Sequence, residues 1–126
     1  MSSTDAVRPQ IERIEESYEF MLAYAAQGRS DEGAGPDGAH IRTFLAQFDT
    51  AVAAIDARLD TLPGADGEAG AVLAALRADS VVVRSALRTI LAREQITSEV
   101  IDNANGLIVI RSYLTGLFFL DKALLP

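Results

Sequence analysis

The sequence predicts an all-α fold, an antiparallel up-down four-helix bundle filling 1–126 as a single domain. Two observations carry this. Apolar side chains recur three or four residues apart in four successive blocks, the spacing that lines one face of a helix. The glycines and prolines that would break those blocks are gathered in two places, 28–38 and 63–70. Helices joined by connections of about two to eleven residues pack as antiparallel neighbours. The expected helices cover 9–27, 37–62, 68–95 and 98–125, with 1–7 a flexible N-terminus.

The first block places Ile11, Ile14, Tyr18, Met21, Leu22 and Ala25 on one helical face. Pro9 suits a first turn, where its missing N–H would be unpaired anyway. Gly28 is a natural stop, because it reaches the left-handed conformation without a Cβ clash. In the second block Ile41, Leu45, Phe48, Val52, Ile55, Leu59 and Leu62 step by four and three alternately, a heptad seam. Asp37 is the expected N-cap, and Pro63-Gly64 ends the helix.

The third block repeats the pattern at Leu73, Leu76, Ser80, Val83, Leu87 and Ile90. Val81-Val82-Val83 is β-branched and locally favours a strand. The alanines, leucines and arginines around it, with no turn residue near, favour a helix instead. The fourth block opens at Thr97 or Ser98, either a good cap, and runs to Leu125. One stripe there is Gly106, Ile110, Tyr113, Leu117, Leu120 and Leu124. A second is Leu107, Leu114, Phe118 and Leu125, with Ile108, Val109 and Phe119 between them.

Composition narrows the function. Eighteen acids against eleven bases give a net charge of −7, the wrong sign for neutralising phosphates, so no nucleic acid partner is expected. With no cysteine there is no disulfide, thiolate metal site or cysteine nucleophile. The N-terminus lacks the basic and apolar regions of a secretory signal, and the apolar run 107–120 carries Arg111, so a cytoplasmic protein without a membrane span is expected. Ten arginines to one lysine, with abundant alanine, read as bacterial genome composition.

His40 is the sole histidine, which excludes a di-iron carboxylate bundle. An acidic bundle with one histidine resembles the histidine phosphotransfer domains, and that resemblance would make His40 the phosphorylated residue. Thr43 and Phe44 depart from that family's lysine and small residue. Glu15-Glu16-Ser17-Tyr18-Glu19 has the EExxE spacing of the all-helical nucleotide pyrophosphohydrolases, which hold Mg²⁺ between two helices. Its second element would be Glu99 with Asp102, far along the chain. The acidic residues Glu12, Glu15, Glu16 and Glu19 read instead as a solvated helix face. No catalytic residue, metal or cofactor is expected.

Two charged stripes complement each other. Asp49, Asp56 and Asp60 share one side of the second helix, and Arg77, Arg84 and Arg88 repeat their spacing on the third. A hairpin turning at 63–70 sets Asp60 beside Arg77 and Asp49 beside Arg88 as interhelical pairs that fix register.

The fourth helix is the most informative segment. It is apolar nearly all round, wider than the stripe a peripheral bundle helix needs. The excess predicts an interface through Leu107, Ile110, Tyr113, Leu114, Leu117 and Phe118, most simply in an isologous homodimer. The expected function is that of a non-catalytic interaction or accessory protein: an assembly factor, chaperone-like or regulatory subunit, able to receive an amphipathic partner helix. Alternatively, Phe20, Phe44, Phe48, Tyr113 and Phe118 would line a pocket for a small apolar ligand in the core.

Overall fold

The computed structural model describes residues 2–33 and 36–126, and the side chains of these apart from 36–39. The described residues are all helical, with no strand: α1 (Ser3–Ala25), α2 (Pro36–Asp56), a 3₁₀ turn (Leu59–Thr61), α3 (Gly70–Leu91), α4 (Ser98–Asn105) and α5 (Ile108–Ala123). There are thus five α-helices in place of the expected four. The Asp37 cap lies outside the described side chains, and part of the glycine-rich connector, 34–35, outside the described residues.

α1 starts six residues before Pro9, and 1–7 is not a loose end from Ser3 onward. Ser2 caps it, its side chain accepting from the Asp5 N–H at 3.1 Å. Val7 and Thr4 extend the apolar stripe backward and are buried, so the first turns gain a core to pack on. Pro9 lies inside the helix, where it costs one backbone hydrogen bond.

α2 stops at Asp56, but its seam does not. Leu59 and Leu62 remain in the core, carried by the 3₁₀ turn. Leu62 is extended (φ −76°, ψ 153°), as the residue before a proline tends to be. Gly64 follows at φ +77°, a left-handed turn that suits glycine. α3 is shorter than 68–95 at both ends.

The expected helix over 98–125 breaks after Asn105. Gly106 closes α4, and Leu107 is extended (φ −65°, ψ 125°) before α5 begins. Glycine is a poor helix former, and the break lets the two pieces lie on different neighbours. α4 packs on α1 and α5 packs on α3, while α2 packs on both α1 and α3.

Side-chain bonds give the directions. Gln47 donates to Ser17 and Ser3 meets Thr61, so α1 and α2 run antiparallel. Arg42 reaches Leu91 and Arg84 reaches Asp49, so α2 and α3 do likewise. Ser112 meets Asp79, and an added Cβ on Gly116 would lie 2.7 Å from Leu76 Cδ2, so α5 returns antiparallel along α3 in close contact. Arg8 closes the far end on Asp121 at 3.0 Å. The core between these helices includes Met21, Tyr24, Phe48, Ile55, Leu87, Ile101 and Tyr113.

Candidate functional site

The outer face of α5 is the candidate site. Of the six residues expected at an interface, Ile110, Tyr113, Leu114 and Leu117 are buried within the chain's own core. That part of the expectation is corrected: α5 uses this stripe against α3 and its neighbours, and those side chains are not available to a partner. Leu107 and Phe118 remain exposed, and Ile108 and Phe119 join them at 82% and 58% exposure. Around a helix turning about 100° per residue, Ile108, Thr115 and Phe119 fall on one outward line. Ser112 leans from that line toward α3, where its hydroxyl donates to Asp79 Oδ2 at 3.1 Å. Arg111 and Phe118 lean to the opposite side.

Sequence spacing sets Ile108 and Phe119 between the two stripes and gives Asp79 and Val82 no part in a contact surface. The signal is present in the spacing: Ile108 sits four positions from exposed polar Ser112, and Phe119 four from exposed polar Thr115. Val82 is half exposed on α3. A shallow groove of about 240 Å³ at the other end is lined by Val72, Phe119, Leu120, Ala123 and Leu124.

The charged stripes meet between α2 and α3. Arg77 Nη1 lies 3.0 Å from Asp60 and its Nε 3.6 Å from Asp56. Asp49 receives Arg84 at 2.8 Å and Arg88 at 3.2 Å. Each arginine of the stripe thus has a carboxylate in the same chain, which leaves no unpaired cationic row for an anionic ligand.

His40 is exposed on α2 near Phe20, with ring centroids 6.5 Å apart, and no described residue hydrogen-bonds to it. Phe44 stacks on Phe20 at 4.4 Å, filling the side where an incoming protein would need space. The five residues expected around an apolar ligand are dispersed: Phe20 and Phe44 pair between α1 and α2, Phe48 and Tyr113 are fully packed, and Phe118 faces outward. Glu12, Glu15, Glu16 and Glu19 are exposed, as are Glu99 and Asp102 on α4. Among the described residues no group of three or more His, Cys, Asp or Glu is arranged to hold a metal ion. No described helix is long and apolar enough to cross a membrane.

The two buried tyrosines are structural. Burial pushes the Tyr113 hydroxyl well above the ordinary tyrosine range, and the carboxylates of Asp56 and Asp79 push the same way. Burial likewise raises Tyr24, offset in part by Arg29, whose guanidinium lies 5.5 Å over its ring. No family model matches this chain, and neither a curated protein nor a solved structure matches it at a significant level.

Proposed function

We propose that this is a non-catalytic interaction or accessory protein that works as a homodimer through the outer face of α5. The fold is read as an up-down bundle whose fourth helix is broken at Gly106. One observation supports the reading above the others. Of the seven large apolar side chains exposed among the described residues, four, Leu107, Ile108, Phe118 and Phe119, lie in one short segment. Apolar residues scattered singly on a surface need no explanation, but a cluster marks a contact surface. The inward stripe of α5 supplies the core, and the outward cluster leaves apolar surface in water that a second chain would cover.

The test is sedimentation velocity with native mass spectrometry on the wild type, Phe119→Asp and Ile108→Asp. A dimer that becomes monomer in the variants, with unchanged helical circular dichroism, supports the reading. A wild-type monomer at every concentration overturns it. A discrete extra mass on the wild-type monomer would also overturn it, in favour of a bound apolar compound.

A further inference from the structure

We infer that the two protomers meet with their α5 helices parallel about a two-fold axis, and that Arg111 of each pairs with Asp79 of the partner subunit. This rests on the homodimer reading and adds the geometry and the specificity of that contact.

Asp79 and Arg111 flank the exposed apolar line, one on each side, and neither has an ionic partner among the described residues. Among the described residues the Asp79 side chain is bonded to the Ser112 hydroxyl alone, and the Arg111 side chain to none. The contrast with the opposite side of α3 is sharp, because there Asp49, Asp56 and Asp60 are all taken by arginines. Arg111 and Ser112 are consecutive, so they stand at the same height on α5 but about 100° apart around it. Ser112 points to Asp79, and Arg111 therefore leans away from its own α3.

A two-fold axis parallel to α5 keeps heights and exchanges sides. The side to which Arg111 leans then faces the partner's α3, at the level of its Asp79. The same operation sets Ile108 and Phe119 each against its own mate. A two-fold axis perpendicular to α5 exchanges heights but keeps sides, which leaves Arg111 facing away from the partner's α3. Only the parallel arrangement makes the face self-complementary in both charge and apolarity, and an isologous contact requires such self-complementarity. Two chains each of charge −7 repel at long range, so the two local attractions also select the orientation.

The test uses Arg111→Asp and Asp79→Arg, alone, mixed and combined, by sedimentation equilibrium at low salt. Each single variant places like charges opposite each other twice, and its dimer should weaken about tenfold or more. Mixing the two single variants should restore a dimer, because the heterodimer regains two opposite-charge contacts. The chain carrying both substitutions should dimerise like the wild type. Weakened single variants that fail to recover on mixing would overturn the pairing, as would single variants that dimerise normally. Phe119→Asp separates the two levels: if it abolishes a dimer that the charge variants leave intact, the α5 interface stands and the parallel arrangement falls.

Discussion

The Tyr24 hydroxyl donates a hydrogen bond to the Ile96 carbonyl oxygen at 2.6 Å, where the end of α1 meets the link into α4. Ser98 completes the joint. Its hydroxyl donates to the Tyr24 carbonyl at 2.7 Å and accepts from the Arg29 N–H at 2.8 Å, and its own N–H donates to the Arg29 carbonyl at 2.9 Å. Five backbone groups at this joint, the carbonyls of Ile96, Tyr24 and Arg29 and the N–H groups of Arg29 and Ser98, are thereby bonded.

Replacing Tyr24 by Phe keeps the ring but strands the Ile96 carbonyl, and should cost about 1–2 kcal/mol in urea unfolding. The same residue sets an alkaline limit. Its hydroxyl titrates above the ordinary tyrosine value of 10.0 in the folded chain because burial disfavours the phenolate. The stability it lends is full below that value and is lost as pH rises through the raised native value. Tyr24→Phe should therefore flatten the fall in stability above pH 10; an unchanged slope would assign that fall to Tyr113 instead.

A second clasp lies beside the first. Arg42 grips the Glu32 carboxylate through Nε and Nη2, at 2.8 and 3.0 Å; Nη1 donates to the Leu91 carbonyl, and Nη2 is shared with the carbonyls of Arg93 and Glu94. The Ile96 N–H donates to the same carboxylate at 3.2 Å. The Arg42 bond, chiefly, holds the Glu32 carboxyl below the ordinary glutamate value of 4.5. This contribution is present above that value and disappears as pH falls through the lowered native one. Glu32→Gln should lose about 1–2 kcal/mol at neutral pH and lose less stability than the wild type on acidification. Parallel acid-unfolding curves for the two proteins would exclude Glu32 as an acid-sensitive site.

The two arginines on Asp49 should not contribute equally. Asp49 is mostly buried; the Arg84 side chain is 32% exposed and the Arg88 side chain 61%. Solvent screens the more exposed pair, so double-mutant cycles to alanine should give a coupling of about 1 kcal/mol for Asp49 with Arg84 and less than about 0.5 for Asp49 with Arg88. Equal couplings would mean that the register is held by the triad as a unit.

Periodicity made the helices and their packed faces legible because burial dictates it directly. The seam from Ile41 to Leu62 is buried to its last residue even where the helix has given way to a 3₁₀ turn. What periodicity does not encode is continuity. Pro9 has the chemistry of a helix start, yet Val7 and Thr4 lie in register with Ile11 and Ile14, and their burial outweighs the bond that proline removes. Gly106 interrupts no apolar stripe, so 98–125 reads as one helix. Its break is a tertiary effect, set by α1 and α3 claiming different halves. The outward face is half legible for the same reason: an apolar surface wider than one face is visible in the sequence, but which half turns outward depends on the packing of α5 against α3.

Asn105 tests the same break from the inside. It is the last residue of α4, 8% exposed, and neither its Oδ1 nor its Nδ2 has a hydrogen-bond partner among the described residues. A buried polar group without a partner costs about 1–3 kcal/mol, whereas an apolar group of similar shape in its place is neutral or stabilising. Leucine matches asparagine closely in shape and is the better helix former. Asn105→Leu should therefore raise the unfolding free energy by about 1 kcal/mol, the reverse of what replacing a bonded core amide does. Gly106 stays in place in this variant, so α4 and α5 should keep their separate neighbours, and circular dichroism should show the same helix content. If stability falls instead, the amide is satisfied in solution, and the joint between α4 and α5 is held by a polar contact as well as by the packing of the two helices on α1 and α3.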